Sequence, residues 1–248
     1  MSLNHVGWLM IYDNKTLRHE LKYYINYKEY IGLQKRLSRI LQTDRHSDEN
    51  GNYHIRSLYF DDVFNSALYE KNYGIFRRQK FRIRIYNKSS SVIKMERKRK
   101  YDKYICKESA SLTPAEYQKI LDGDIDFLAG STNEVITDFL VKTKTKLLKP
   151  KVIVDYIREA YTLRSFNVRI TFDKHLSAGI NSVDIFDNNL ITVNVFPNPV
   201  IIMEIKYNEF LPANIRALLQ ISSGENAAIS KYVLCRVLKL QRGGLGNG

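Results

Sequence analysis

Lys80-Phe81-Arg82-Ile83-Arg84-Ile85-Tyr86 alternates cationic and apolar side chains without a break. Successive side chains of a strand point to opposite faces, so this stretch reads as a strand with one cationic face and one apolar face. The same parity recurs along the chain. Arg18, Glu20 and Lys22 interleave with His19, Leu21 and Tyr23, and Lys94, Glu96, Lys98 and Lys100 follow Ile93 and Met95. Arg169 and Asp173 lie opposite Val168, Ile170 and Phe172, and Glu204 and Lys206 separate Met203, Ile205 and Tyr207. At least five strands therefore carry a charged face, mostly cationic with a few carboxylates. Converging, those faces make a site for a highly anionic ligand and a metal.

An alternating strand is ordinarily half of an exposed sheet with a solvated outer face. Three features speak against that reading here. Like charges recur at i and i+2, as in Arg82 with Arg84 and Lys98 with Lys100; so close on one face, they repel unless an anion or solvent intervenes. Helical insertions between the strands need an apolar surface to cover, which the outer wall of a barrel supplies. The acids stand two residues before a lysine in Glu20-x-Lys22, Glu96-x-Lys98 and Glu204-x-Lys206. A carboxylate beside a lysine on one wall can hold a divalent cation while the lysine holds a phosphate oxygen, the pairing that phosphoryl transfer uses.

The bulk numbers agree. The 248 residues carry 39 Lys and Arg against 26 Asp and Glu, a net +13, and 44% are hydrophobic. That composition supports a globular core and anionic partners. The cations follow strand parity rather than forming a run, which speaks against nucleic acid as a partner. Two cysteines, Cys106 and Cys235, make neither a disulfide framework nor a metal motif, and five scattered histidines make no zinc site. The apolar run Val6–Tyr12 is too short for a secretory core or a membrane span. The expectation is a cytoplasmic protein.

Residues 1–14 read as a leader, 15–241 as one domain and 242–248 as a flexible tail. Strands are expected over Arg18–Tyr27, Tyr53–Phe60, Lys80–Tyr86, Val92–Tyr101 and Lys103–Lys107. In the second half they are expected over Val152–Leu163, Asn167–Asp173, Leu190–Val195 and Val200–Tyr207. Helices are expected over Lys28–Gln42, Asn65–Lys71, Glu134–Leu148, Ala213–Ile221 and Ser230–Leu240. Another starts at Thr113-Pro114-Ala115-Glu116, a capping box with proline at the first helical position. The fold class is α+β: an antiparallel β-barrel of about eight strands around a basic tunnel, with helices packed outside.

The stretches RHELKYYI, IRSLYFDD, FRIRIY, KMERKRK, DYIREAY, VRITFD, IMEIKY and SKYV, in this order, resemble the polyphosphate polymerase domain of the vacuolar transporter chaperone (VTC) complex. That domain is one of the triphosphate tunnel metalloenzymes, or CYTH group, and the resemblance runs from about Thr16 to Gln241. It implies a barrel with a basic lumen. Lys22, Arg82, Arg84, Lys98, Arg158, Arg169 and Lys206 would bind phosphate and serve catalysis there, with Lys103, Lys231 and Tyr59 joining them in binding substrate. Glu204 would be the principal ligand of Mn2+ or Mg2+, with Glu20 and Glu96 as further candidate ligands. Asp61 matches a recurrent Tyr-Phe-Asp segment whose role the resemblance does not fix.

The implied activity is a metal-dependent polymerase that moves the γ-phosphoryl of ATP onto inorganic polyphosphate, with pyrophosphate and polyphosphate as further ligands. The alternatives are a metal-dependent (tri)polyphosphatase and a non-catalytic polyphosphate-binding or sensing module. Hydrolytic and cyclase relatives open with Glu-x-Glu-x-Lys, whereas this chain has Arg18-x-Glu20-x-Lys22, which favours the more basic, polymerase-like tunnel. A separate membrane partner, holding the protein at the inner face of a membrane, is compatible with the resemblance.

Overall fold

The computed structural model describes residues 4–6, 9–12, 15–16, 18–72, 77–101, 104–220 and 226–243. Three short strands, β1 (Asn4–Val6), β2 (Leu9–Tyr12) and β3 (Lys15–Thr16), pair as a separate sheet; β1 and β2 fall in the region read from the sequence as a leader, and β3 just after it. The remaining strands are β4 (His19–Ile25), β5 (Gln42–Thr43), β6 (Asn52–Asp61), β7 (Arg77–Tyr86), β8 (Ser89–Tyr101), β9 (Tyr104–Leu112), β10 (Lys149–Leu163), β11 (Val168–Gly179), β12 (Thr192–Asn194) and β13 (Ile201–Tyr207). Six α-helices accompany them among the described residues: α1 (Tyr27–Leu37), α2 (Ser66–Asn72), α3 (Pro114–Asp122), α4 (Glu134–Lys146), α5 (Ala213–Leu218) and α6 (Lys231–Gly243).

Eight strands run antiparallel in the order β4-β13-β11-β10-β6-β7-β8-β9, with β5 and β12 paired off that path. The sheet curls until its two edge strands meet: Arg18 and Ile105 form an antiparallel bridge, exchanging N–H···O bonds of 3.4 and 3.3 Å. Lys98 of β8 and Glu20 of β4 pair across the same seam at 3.0 Å. The expected α+β barrel is thus realised as a curled sheet whose ends almost join.

Local chemistry explains the element boundaries. Thr113 and Glu116 form the expected capping box of α3, and Asn26 with Glu29 form a second at α1. The β7–β8 hairpin turns on Asn87 and Lys88, both at positive φ, with Tyr86 paired to Ser89. Strand β10 starts three residues before the expected Val152 and runs through Pro150. The ladder shifts register between Pro150 and Val152, which is where a sheet tolerates a residue without an N–H. Strand β11 continues past Asp173, through His175 at φ 55, into a second shift against Asp155 and Ile157.

The apolar parity packs outward under helices. Leu58, Phe81, Ile83 and Met95 lie against Tyr117 of α3 and Phe139 of α4. Ile170, Phe172 and Met203 lie against Leu33 and Leu37 of α1 and Ile215 of α5. Helix α6 covers one end of the charged wall, burying Tyr232 and Cys235 against Val152, Val154, Leu176 and Ala178. Near that end Gly179 is tightly enclosed: a Cβ there would sit 2.9 Å from Ile153 Cβ and 3.0 Å from Leu190 Cδ1. Gly179→Ala is expected to destabilise the fold by about 1–3 kcal/mol through overpacking. Thermal melting checks it, and an unchanged midpoint contradicts it.

Candidate phosphate-binding site

One continuous inner wall carries the charged parity. Strand pairing sets Glu204 beside Lys22 and Lys206 beside Glu20. It sets Arg169 beside Lys206 and Arg158 beside Asp173. On the opposite side it sets Tyr59 beside Arg82, Ser57 beside Arg84, Arg82 beside Glu96 and Lys98 beside Lys107. Cross-strand partners share a face, so these side chains project to the same interior.

Two ion-pair groups occupy that interior. In the first, Glu204 receives Lys231 at 2.5 Å, Lys206 at 2.9 Å, Lys22 at 3.7 Å and Arg158 at 3.9 Å. Asp173 holds Arg158 through two bonds of 2.6 and 2.7 Å and takes Lys231 at 2.6 Å. Glu20 is shared by Lys22 at 2.8 Å and Lys98 at 3.0 Å. In the second group, Glu96 receives Arg82 at 2.6 Å and Lys107 at 2.7 Å, with Arg84 at 3.9 Å. Arg82 also donates to the Tyr59 hydroxyl at 2.6 Å, and Arg84 donates to Ser57 and Tyr156. Tyr156 joins the groups, because Arg158 and Lys231 each lie 5.3 Å from its ring centre.

With Lys98 protonated, the eight cations of these two ion-pair groups (Lys22, Arg82, Arg84, Lys98, Lys107, Arg158, Lys206, Lys231) face four acids (Glu20, Glu96, Asp173, Glu204), so 8 − 4 leaves +4. Arg84, Arg158, Lys231, Glu96, Asp173 and Glu204 are buried, where charge is poorly screened, while Lys98 and Lys107 reach solvent. The acids hold the cations in place and an anion is needed to neutralise the rest.

The titrations reflect the crowding. Burial pushes the Glu204 carboxyl up, but Lys206, Lys231 and Lys22 outweigh it and hold its pKa well below the ordinary carboxylate range. Burial also opposes Glu20, which Lys22, Lys98 and Lys206 hold below that range. Lys98 behaves differently. Burial pushes its pKa down to about 7; Glu20 counteracts this only partly, and Lys22 and Lys206 add to it.

Lys98 therefore loses its charge as pH rises through neutrality, and a bound polyanion restores it. With a site at about 7, linkage predicts tripolyphosphate affinity roughly tenfold lower at pH 8 than at pH 6, with uptake of about one proton at the higher pH. Calorimetry in buffers of different ionisation enthalpy measures both effects. Lys98→Gln should flatten the dependence; a pH-dependence that survives in that variant assigns the titration to another group.

The sequence-expected residues are placed as follows. Lys22, Arg82, Arg84, Lys98, Arg158, Lys206, Tyr59, Glu20, Glu96 and Glu204 all stand on the inner wall, and Lys231 reaches it from α6. Arg169 is at its rim, about a third exposed, donating to Asp44 at 2.6 Å and to Tyr53 at 2.7 Å. Lys103 lies outside the described residues. Asp61 is a structural clamp: its oxygens accept from the backbone N–H of Asp62, Ala67 and Leu68 and from the Tyr232 hydroxyl. It thereby ties α6 to the start of α2. Sequence reasoning did not assign Lys107, Asp173, Ser57 and Tyr156 to the site. Parity held the signal for Lys107 and Asp173, whereas Ser57 and Tyr156 resemble ordinary wall residues.

The fold family implies a divalent metal, and hard oxygen donors are what Mg2+ or Mn2+ requires. Among the described residues no three His, Cys, Asp or Glu side chains converge as a complete cage. The wall instead fits the mode in which one or two carboxylates hold the ion and substrate oxygens complete its shell. Glu204 and Glu20 share Lys22 and suit that role. Glu96 stands apart with Arg82, Arg84 and Lys107. No histidine stands on the charged wall among the described residues, so a nucleophile–histidine pair has no place there.

Among solved structures, an adenylyl cyclase-like protein of Hippeastrum, described as having a dominant triphosphatase activity, superposes with a TM-score of 0.53 at 12% identity. The match covers 90% of this chain and 96% of that one. A Bacillus halodurans protein described as adenylate cyclase-like gives 0.47 at 13% identity, covering 82% and 86%. At such identities the first likeness concerns the fold alone, and the second is too distant to add to it. No curated protein matches the sequence. The model of the VTC domain matches residues 17–238, nearly the whole chain, and with the basic inner wall in view the conclusion is plain: this chain belongs to the VTC domain family.

Proposed function

We propose that this protein is a polyphosphate polymerase that transfers the γ-phosphoryl of ATP to the end of an inorganic polyphosphate chain. The observation that carries the reading is the single inner wall on which eight cations outnumber four acids, with membership of the VTC family behind it. Phosphoryl transfer asks a protein mainly for positioning and charge stabilisation, and such a wall supplies both.

Arg82 and Arg84 present planar guanidinium donors held by Glu96, Tyr59 and Ser57, suited to bidentate contact with phosphate oxygens. Lys22, Lys206 and Lys231 surround Glu204 and would follow the phosphates on the other side. Glu204 and Glu20 would hold the divalent metal, which when bound draws charge from the phosphate oxygens. An acceptor phosphate is already ionised at neutral pH, so no protein base is needed to activate it. The wall's cations orient that oxygen in line and stabilise the departing diphosphate.

Incubation with ATP and Mn2+ tests the reading. Long chains on a gel support it. Free phosphate alone supports a metal-dependent (tri)polyphosphatase, the second reading, which the activity described for the Hippeastrum protein favours. Tight polyphosphate binding without either product supports a binding module.

A further inference from the structure

The end of the molecule formed by α2 and α6 carries a surface that the phosphate site does not use. Val63 and Phe64 occupy the turn between β6 and α2, 46% and 79% exposed. Phe64 is the most exposed large apolar side chain among the described residues. The turn is built rather than loose: the Phe64 and Ser66 N–H groups donate to Asp62 Oδ1 at 3.0 and 2.9 Å, and Asn65 takes positive φ. Tyr69 of α2 and Val237 and Leu240 of α6 are also exposed, at 48%, 39% and 46%. Arg236 of α6 donates to Asn65 Oδ1 at 3.4 Å, bringing the helix up to the turn.

Four cations stand at this end of the molecule: Lys149 and Lys151 at the start of β10, where Lys149 pairs with Asp61 in the strand ladder, and Arg236 and Lys239 on α6. Arg236 is within electrostatic range of both Lys151 and Lys239, and Lys149 of Lys151. Burial and then Arg236 lower the pKa of both Lys151 and Lys239; at Lys151 the nearby Asp61 and Asp62 oppose the shift and Lys149 adds to it. Among the described residues no carboxylate comes within ion-pair distance of any of the four, in contrast to the inner wall. The nearby Asp61 and Asp62 are buried and already accept hydrogen bonds from α2 and its turn. The buried Arg236 Nε has no partner. The patch thus combines apolar side chains held out into solvent with cations that, among the described residues, have no carboxylate at ion-pair distance.

We propose that this end of the molecule docks on an anionic lipid bilayer. Phe64, Val63, Val237 and Leu240 would enter the interface between headgroups and acyl chains, and Lys149, Lys151, Arg236 and Lys239 would meet the lipid phosphates. An anionic soluble protein would satisfy the cations but would not call for a rigid turn that presents two apolar residues side by side. Interfacial binding draws on both buried apolar area and attraction to anionic headgroups. The proposal is independent of the catalytic reading, and its test needs no turnover.

The full chain is floated with vesicles of phosphatidylcholine alone or mixed with phosphatidylserine, at low and high salt. Binding to the mixed vesicles is expected, weakening as salt rises. Phe64→Ser should reduce it about tenfold, and Lys149→Glu with Lys151→Glu at least as much. Phe64→Ser should leave the melting temperature and tripolyphosphate affinity unchanged, since the side chain packs on little. Equal binding to neutral vesicles, or binding to neither, overturns the proposal. So does a dimer in light scattering that Phe64→Ser converts to a monomer, which would assign the patch to a second copy. Loss of polyphosphate affinity, rather than vesicle binding, in the double charge reversal would also overturn it by making the cations part of a phosphate track.

Discussion

Arg82→Ala is expected to weaken tripolyphosphate binding by about 10- to 150-fold. The range corresponds to loss of a charge-assisted contact of about 1.5–3 kcal/mol. Arg82 is suited to this role because three bonds already fix its guanidinium, two to Glu96 and one to Tyr59. Little side-chain entropy remains to be lost when a phosphate arrives. The same bonds give the variant a second effect. Glu96, 2% exposed, would keep Lys107 but lose its closest arginine. Stranding part of a buried carboxylate costs up to about 3–5 kcal/mol.

A double variant separates binding from stability. Arg82→Ala with Glu96→Gln should regain much of the melting temperature, because the stranded charge is gone, while affinity stays low. If affinity returned with stability, Arg82 would be only a partner for Glu96. If the single variant bound tripolyphosphate normally by calorimetry, Arg82 would lie off the phosphate path.

Much of this site is legible in the sequence because strand parity is a local property. Once residues 80–86 are a strand, Arg82 and Arg84 must share a face with Lys80 and oppose Ile83 and Ile85. Antiparallel pairing then carries that face from strand to strand, as the Arg82–Glu96 and Lys206–Glu20 partners show. Parity says nothing of distance around the barrel, however. Glu20, Glu96 and Glu204 have the same local pattern, a carboxylate two residues before a lysine. Only the sheet order places Glu20 beside Glu204 on neighbouring strands and sets Glu96 two strands from Glu20 across the seam, among Arg82, Arg84 and Lys107.

Bulges interrupt the rule in the same way. Beyond Asp173 the ladder shifts at His175, so the wall residues of late β11 follow a different count from those before it. Lys231 sits on a helix, where strand parity has no meaning. Its place in the site comes from α6, which Asp61 anchors through Tyr232. The capping box of α3 and the Asn87–Lys88 turn were readable for the opposite reason: each is decided within four residues.

Glu204→Gln is expected to part binding from turnover. Gln preserves the shape of a side chain that is 5% exposed and touches Lys231, Lys206, Lys22 and Arg158. It removes one negative charge, so the wall's surplus rises from +4 to +5. Tripolyphosphate should bind as well as before or several-fold tighter, because Lys206 and Lys231 exchange a competing carboxylate for the ligand. Turnover of ATP should nonetheless fall by about 10²–10³, the usual scale for loss of one group that stabilises transferring charge. Loss of an outer partner alone costs less, about 10- to 100-fold. Lys206→Gln should behave differently, lowering affinity and rate together. Calorimetry with tripolyphosphate, set beside a Mn2+ titration of activity, distinguishes the two variants. If Glu204→Gln kept its rate and its Mn2+ dependence, Glu204 would be a charge spacer among lysines and the metal would belong elsewhere. If it lost affinity and rate in proportion, the carboxylate would be needed to hold the lysines in place. Only tight binding with failed transfer gives Glu204 the role of metal donor, because that outcome requires the phosphate site to be intact when the reaction stops.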